Sequence, residues 1–295
     1  MREPMNETKV APTISQGFGD LPMLHIPAAV RLAYKLASGI SPLLGAAMAQ
    51  LLLTRPPHAG YRQKQHAVLA IAQQAVLRVR NRSVRAYEWG AGPTVLLVHG
   101  WGGHAGQMTE FVAPLTAASY RVVALDAPAH GRSAGQLSSL VHFADAIAVA
   151  DRAFGPFHAV VAHSLGAAAT AYQMSKGMTV DRAVFIAPPA RQTGIWQLFR
   201  QALGMSDREW ELMRVRTERW LKVNFDDLQP EVLAPHMRTP LLILHGENDR
   251  VTPCSEGQAL ARVWPGAKVC LLNSSHRAIL SDMRALAKSV EFVRQ

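Results

Sequence analysis

Short apolar runs alternate with helical stretches along the chain from about residue 75 to its end. The runs predict strands over residues 75–80, 83–89, 94–98, 121–125, 157–162, 183–187, 241–245 and 268–272. The stretches between them predict helices over residues 106–118, 138–153, 165–176, 254–263 and 277–293. Strands that alternate with helices form parallel sheets covered on both faces, but the first two strands are joined too briefly for a crossover and are predicted to be an antiparallel edge pair. The predicted fold class is α/β, with a doubly wound, mostly parallel eight-stranded sheet.

The alternation of strands and helices is interrupted between residues 190 and 240, where the pattern is helical throughout. Residues 206–209, with the sequence Ser-Asp-Arg-Glu, form a capping box and predict a helix that runs to about Leu221. A shorter apolar helix is predicted before it, ending at Gly204. The predicted organisation is an N-terminal helical extension (1–73), an α/β core (74–190 and 239–295) and a small helical lid (191–238).

The N-terminal extension contains an uncharged stretch of nineteen residues, Leu36 to Thr54. It is interrupted by glycine and proline and is shorter than the ~20 strongly apolar residues that a membrane span needs. Residues 24–53 are predicted to form two helices around Ser41-Pro42 that pack on the α/β core, with peripheral membrane contact through residues 24–54 as the alternative. The first 20 residues carry both signs of charge and no apolar signal segment, so we expect a cytoplasmic location, with membrane association of a peripheral kind as the alternative.

One serine lies at a sharp turn between a strand and a helix. The apolar strand at 157–161 leads into Ser164, and a run of small residues from Gly166 begins the helix that follows. Such a turn exposes the serine hydroxyl and is typical of a nucleophile elbow, here with Ala162 at a position where glycine is usual. Two later strands lead into loops that carry Asp249 and His276, a carboxylate and an imidazole that can serve a serine nucleophile as acid and base. The order Ser, Asp, His is the one expected for a catalytic triad on a doubly wound sheet.

A glycine-rich turn, residues 99–104, directly follows the buried strand at 94–98 and can present a free N–H to a developing oxyanion. Taken together, residues 75–293 resemble the α/β-hydrolase family. A further landmark is the segment 126–133, which is similar to the family's D-x-P-G-H-G-x-S turn, with Ala129 in place of a glycine. We expect Ser164 to be the nucleophile, His276 its base and Asp249 the acid that orients the base, with Glu247 the rival acid. The N–H groups of Trp101 and Leu165 are expected to form the oxyanion hole.

These residues predict a serine hydrolase that cleaves small apolar carboxylic esters through an acyl-enzyme. Thioesterase, lysophospholipase or perhydrolase activity with the same triad, and a non-catalytic ligand-binding role, are the alternatives. The lid is rich in aromatic residues, and Trp196, Phe199 and Trp220 are expected to line the substrate pocket. An apolar pocket of this kind predicts a preference for uncharged esters with medium-length chains over short polar ones. The lid carries 8 Lys and Arg against 7 Asp and Glu, so it indicates no preference for an anionic substrate.

Net charge and cysteine content limit which partners, metals and cofactors can be expected. The chain has a net charge of +10, of which residues 55–90 supply +6 (7 Lys and Arg against one Glu). No aromatic interleaving or nucleic-acid motif accompanies these cations, so they are predicted to be solvated side chains on an edge strand, and no nucleic-acid partner is expected. Two cysteines, Cys254 and Cys270, lack metal-ligand spacing, and no metal or cofactor is predicted. The sequence does not fix the oligomeric state.

Overall fold

The computed structural model describes residues 26–191 and 193–295, and its centre is a single eight-stranded sheet. The strand order is β1-β2-β4-β3-β5-β6-β7-β8, and β2 is antiparallel to both of its neighbours while all the other pairs are parallel. This confirms the predicted fold class and the antiparallel edge. The strands are β1 Gln73–Val79, β2 Arg82–Trp89, β3 Thr94–Val98, β4 Arg121–Leu125, β5 Phe157–His163, β6 Val180–Ile186, β7 Leu241–Gly246 and β8 Lys268–Leu272.

Helices cover both faces of this sheet. In chain order, the α-helices of the described residues are α1 Ala28–Ile40, α2 Pro42–Thr54, α3 Gln63–Ala70, α4 Val112–Ala117, α5 Leu140–Phe154, α6 Leu165–Ser175, α7 Thr193–Leu203, α8 Asp207–Leu221, α9 Pro230–Leu233, α10 Cys254–Val263 and α11 Met283–Arg294. Because side chains alternate along a strand, Val95 and Leu97 of β3 join a cluster with α3, α4 and α11, while Leu96 and Val98 join a cluster with α5, α6 and α10. The continuous apolar runs of the sequence are therefore explained by burial on both sides.

Two predicted helices differ from the observed structure, and one observed helix is not predicted by the sequence pattern. The predicted helix 106–118 is a 3₁₀ segment, Ala105–Phe111, followed by α4, and the predicted helix 277–293 begins with a 3₁₀ turn, Ala278–Ser281, before α11. Helix α3 was not predicted, because its apolar residues show no clear helical period. No helix in the described ranges is both long and apolar enough to cross a membrane.

The two N-terminal helices form where the sequence places them, but their packing partner differs from the prediction. Instead of lying on the α/β core, α1 and α2 pack mainly on α7 and α8, which belong to the inserted segment (residues 193–238). Gly45 allows this approach, since a Cβ there would lie 3.0 Å from Glu209 Oε1 and 3.0 Å from Ser38 Cβ. Ala46 and Ala49 are buried on the same helix. Small residues on one side of α2 let the α8 backbone come close, and this decides which surface α2 covers.

The capping box predicted at the start of α8 is present. The Ser206 hydroxyl accepts the Glu209 N–H at 3.3 Å, and a Glu209 carboxylate oxygen accepts the Ser206 N–H at 2.7 Å. The other carboxylate oxygen accepts a hydrogen bond from the Ser38 hydroxyl of α1. Glu209 thus caps its own helix and ties the N-terminal hairpin to the inserted segment.

Candidate active site

Ser164 lies at the carboxyl end of β5, immediately before α6, with backbone angles of φ 52° and ψ −122°. A positive φ is rare and strained for a residue that carries a side chain, and it is the conformation of a nucleophile elbow. Hydrogen bonds hold the turn in place: the Ser164 N–H donates to Ile186 O at 2.9 Å, and the Ala167 N–H donates to Ser164 O at 2.9 Å. The strained serine therefore presents its hydroxyl at the edge of the sheet where the parallel strands end.

Two glycines allow the elbow to pack closely against the loop after β3. A Cβ at Gly166 would lie 2.4 Å from His99 O, and one at Gly100 would lie 2.9 Å from His163 Nδ1 and 3.0 Å from Ser164 Cβ. Real Cβ atoms essentially never approach other atoms within 3.0 Å, so neither position accepts a side chain without a shift of its neighbours. The glycine-rich loop and the serine turn are consequently in direct contact, which the two separate sequence motifs alone could not show.

The structure brings His276 and Asp249 to Ser164. His276 Nε2 lies 3.1 Å from Ser164 Oγ, and His276 Nδ1 lies 2.7 Å from Asp249 Oδ2. Both residues are on loops that follow strands, Asp249 after β7 and His276 after β8. The rival acid Glu247 is exposed and makes no contact with His276 among the described residues. The three side chains form one hydrogen-bonded chain in the order that a serine hydrolase uses.

Asp249 is buried and accepts more than one hydrogen bond. Its Oδ1 accepts the N–H groups of Val251 and Thr252, both at 2.8 Å. Burial acts to raise the pKa of Asp249, but contacts with His245 and His276 and the Thr252 N–H outweigh it and hold the pKa well below its usual range. The carboxylate is therefore ionised at neutral pH and can stabilise a positive charge on the His276 ring.

The N–H groups of Trp101 and Leu165 flank the serine. Leu165 is the first residue of α6, so its N–H has no acceptor within the helix and lies at the positive end of the helix dipole. The Trp101 N–H follows Gly100 on the loop that contacts Ser164, and it has no backbone acceptor among the residues that the structure describes. Both donors are free to bind an anionic oxygen.

Two buried histidines, whose roles sequence patterns do not reveal, hold the loops in place. His163 lies 2.9 Å through Nε2 from the His276 carbonyl oxygen, to which it donates. His99 accepts the Ala127 N–H at 3.0 Å through Nε2, and its Nδ1 lies 2.7 Å from Gly100 O. Burial lowers the pKa of His99 to about 3 and holds that of His163 far below its usual range, so both rings are neutral. Their hydrogen bonds tie the loops that carry Gly100 and His276 to neighbouring parts of the chain.

The turn after β4 is organised by Asp126, whose carboxylate is fully buried. Its oxygens accept the Ala105 N–H at 2.7 Å, the Arg132 N–H at 2.9 Å and the Tyr61 hydroxyl at 2.9 Å. Ala129 in the same turn has a φ of +64°, which explains why glycine is usual at this position. The network holds an alanine in a conformation that it disfavours.

A cavity of about 120 Å³ opens beside Ser164 and is mainly apolar. Trp196 lines it and stacks on Phe225 with ring centroids 4.5 Å apart. Phe199 and Trp220 are not among its lining residues: Phe199 is buried with Tyr34 and Met213 between the N-terminal helices and the inserted segment, and Trp220 borders an outer groove between α2 and α8. Leu53 and Thr54 of α2 line the cavity, together with Trp101, Ser138, Ser139, Leu140, Leu165, Pro189, Ile195, Thr217, Leu221 and Leu228.

A second, smaller space of about 30 Å³ also adjoins Ser164. Gln107, His276 and Arg277 border it, so it is more polar than the main cavity. Ser164 thus borders both spaces, the larger one mainly apolar and the smaller one more polar.

Comparison with known proteins agrees with the α/β fold described above. A family model described as the alpha/beta hydrolase family matches residues 95–289. The comparison with curated proteins gives no significant match. The fold is similar to those of the esterase EaEST from Exiguobacterium antarcticum (13% identity, TM-score 0.60, 76% of this chain and 100% of that chain) and the esterase Pf2001 from Pyrococcus furiosus (17%, 0.60, 81% and 96%). It is also similar to that of the enol-lactonase from Burkholderia xenovorans LB400 (15%, 0.59, 75% and 100%).

Proposed function

The chain belongs to the α/β-hydrolase family, and from this membership we propose that it is a serine hydrolase that cleaves carboxylic esters through an acyl-enzyme on Ser164. The observation that carries the proposal is the hydrogen-bonded chain Ser164–His276–Asp249 at the end of an apolar cavity. The esterases and the enol-lactonase that share the fold act on the same class of bond, as their names state.

In the first half of the reaction, Ser164 Oγ attacks the acyl carbon while its proton moves to His276 Nε2, 3.1 Å away. Asp249 stabilises the resulting imidazolium through Nδ1. The carbonyl oxygen becomes an oxyanion, bound by the N–H groups of Trp101 and Leu165, each of which contributes about 2.7–4 kcal/mol to the transition state. Collapse of the intermediate breaks the ester bond, and His276 returns the proton to the departing alcohol.

In the second half, a water molecule gives its proton to His276 Nε2 and attacks the acyl carbon. The second tetrahedral intermediate breaks the bond to Ser164 Oγ, which takes the proton back, and the carboxylic acid leaves. We assign the acyl group to the apolar cavity and the alcohol to the polar space near Gln107 and Arg277. Water reaches the acyl-enzyme through the space that the alcohol has left.

The cavity also suggests the size of the acyl group. An apolar cavity of about 150 Å³ holds one benzene molecule, so about 120 Å³ holds an acyl chain of about four or five carbons without movement of the inserted segment. This is shorter than the medium-length chains that the aromatic content of the lid suggests. We therefore expect a rate maximum near butyrate in a series of p-nitrophenyl esters.

A fluorophosphonate probe tests the nucleophile, because it reacts with an activated serine hydroxyl. The wild-type chain should be labelled on Ser164, as located by mass spectrometry of its peptides, and Ser164→Ala should give no label and no ester hydrolysis. Ser138→Ala is the matched control, since Ser138 lines the same cavity and should leave labelling intact. Labelling of Ser164→Ala at the wild-type rate would refute the assignment.

A further inference from the structure

The N-terminal hairpin of α1 and α2 exposes an unusual number of large apolar side chains. Of the twelve large apolar residues that are exposed in the described ranges, six lie on these two helices. They are Leu32, Leu36, Ile40, Leu43, Leu44 and Leu51, and we call them the hairpin patch. Exposed leucines that cluster in this way mark an interaction site, whereas single ones are ordinary.

The residues of the hairpin patch follow one another along both helices. Leu32, Leu36 and Ile40 follow one another every four residues, so they form a stripe along α1, and Ile40 is 78% exposed. Tyr34, on another side of α1, is 1% exposed and packs on α7 and α8. The turn at Ser41 then leads directly to the exposed leucines at the start of α2. Helix α1 is therefore amphipathic, with one apolar side turned away from the protein.

The charged side chains of the hairpin itself all have one sign. Arg31 and Lys35 are exposed and flank the apolar stripe at an i, i+4 spacing, and the sequence from residue 26 to residue 87 contains nine Lys and Arg but no Asp or Glu. On the neighbouring α8, Arg216 and Arg219 are exposed and border a groove together with Leu43, Leu44 and Leu51.

The acidic side chains of α8 in this region do not cancel those cations. Glu211 and Glu218 both form ion pairs with Arg214, at 2.6 Å and 2.8 Å, which leaves one net negative charge against the four exposed cations Arg31, Lys35, Arg216 and Arg219. Arg216 donates to Gln50 of α2 at 2.6 Å, a neutral partner that leaves its charge in place. The hairpin patch thus sits in a region of net positive charge.

We propose that the hairpin patch docks on an anionic membrane surface. A helix with leucines on one side and lysine or arginine beside them lies in the interfacial plane, with the leucines in the outer acyl region and the cations near the lipid phosphates. A second copy of the chain is a poor occupant of the patch, because it would bring equal charges together. Docking depends only on this surface and does not depend on the proposed ester hydrolysis.

The position of the patch gives docking a consequence for the candidate site. Helix α2 exposes Leu43, Leu44 and Leu51 on its outer side, while Leu53 and Thr54 at its end line the cavity beside Ser164. Thr54 also borders the outer groove between α2 and α8. A membrane that contacts the hairpin therefore lies next to the cavity, so an apolar molecule dissolved in the lipid has a short path to it.

Co-sedimentation of the full chain with vesicles tests the proposal. We expect binding to vesicles of phosphatidylcholine mixed with phosphatidylglycerol, much weaker binding to phosphatidylcholine alone, and a decrease as salt is raised. Leu36→Gln/Ile40→Gln should weaken binding to the mixed vesicles by at least about tenfold. The matched control is Ile71→Gln/Met283→Gln, which removes two equally exposed apolar residues outside the patch and should leave binding unchanged.

The charge contribution has its own pair of variants. Arg31→Gln/Lys35→Gln should weaken binding to the mixed vesicles several-fold, and Lys288→Gln/Arg294→Gln, which removes two exposed cations of α11, should do so less. Each variant should keep the wild-type melting temperature and its rate on a water-soluble ester, which separates docking from folding and from catalysis. Absence of vesicle binding, equal binding by Leu36→Gln/Ile40→Gln, or a dimer in sedimentation velocity that this variant alone dissociates would each overturn the proposal.

Discussion

Replacement of Asp249 by asparagine gives the sharpest test of the candidate site, because the surrounding backbone determines how the new amide is oriented. Two N–H groups, those of Val251 and Thr252, point at Oδ1 from 2.8 Å. Both need an acceptor, so the carbonyl oxygen of an asparagine must take the Oδ1 position. The NH₂ group then takes the Oδ2 position, 2.7 Å from His276 Nδ1.

The cost of unsatisfied hydrogen bonds determines which tautomer the His276 imidazole adopts in this variant. Turning the amide around would leave two buried N–H groups facing an NH₂, at a cost of about 1–3 kcal/mol each. Moving the His276 proton from Nδ1 to Nε2 breaks no backbone hydrogen bond and lets Nδ1 accept from the NH₂. The ring therefore changes tautomer, and Nε2 can no longer accept the proton of Ser164. We expect kcat to fall about 10⁴-fold, the effect of a wrong tautomer in serine proteases, with little change in KM.

The assay is steady-state hydrolysis of p-nitrophenyl butyrate, combined with ¹⁵N NMR of the histidine side chains to identify the protonated nitrogen of His276. Glu247→Gln is the matched control, since it removes an exposed carboxylate two residues away and should leave kcat unchanged. An Asp249→Asn enzyme within tenfold of the wild-type kcat, or one whose His276 proton stays on Nδ1, would refute this reasoning.

Three further predictions concern positioning, stability and selectivity. His163→Leu removes the donor to the carbonyl of the base histidine, and kcat should fall about 10–100-fold at nearly constant KM in the same ester assay. Burial lowers the pKa of His99 and of His130 to about 3 each, so below pH 6.5 the folded chain binds fewer protons than the unfolded chain. The stability that these two neutral rings contribute to the fold is therefore fully present above pH 6.5 and is lost as the pH falls towards 3. Between pH 7 and pH 5 each ring should lower the free energy of unfolding by about 2 kcal/mol, and denaturant titrations that give equal values would contradict this. Trp196→Ala should enlarge the cavity and shift selectivity from butyrate to octanoate esters by about tenfold or more, whereas Trp220→Ala, outside the cavity, should not.

The sheet was predictable because its strands are buried on both faces. A residue such as Leu96 must be apolar whichever cluster it joins, so β3 appears in the sequence as one uninterrupted apolar run. The helices were harder where they are short: the segment Ala105–Phe111 winds as 3₁₀ around the Ala105 N–H bond to Asp126, a constraint that comes from a distant part of the chain. The sequence pattern predicted a helix in this segment but could not distinguish a 3₁₀ helix from an α-helix.

The meeting of the three candidate triad residues was predictable for a different reason. Parallel strands deliver their carboxyl ends to one edge, so the loops that carry Ser164, Asp249 and His276 meet there whatever the rest of the chain does. Pocket residues follow no such rule. Trp196 and Phe199 are three positions apart on α7, yet one lines the cavity and the other is buried against Tyr34, because α1 covers that part of the helix.

The N-terminal hairpin explains why sequence could not define the pocket. Helix α2 packs by its small residues on α8, turns Leu53 and Thr54 into the cavity and leaves Leu51 exposed. Its sequence is apolar on every side, so no periodic pattern distinguishes these three environments. The cavity beside Ser164 is consequently closed in part by residues more than a hundred positions before the serine. Removal of the hairpin would open that cavity to solvent and expose the apolar cluster around Met213. The N-terminal extension is therefore a structural part of the candidate site.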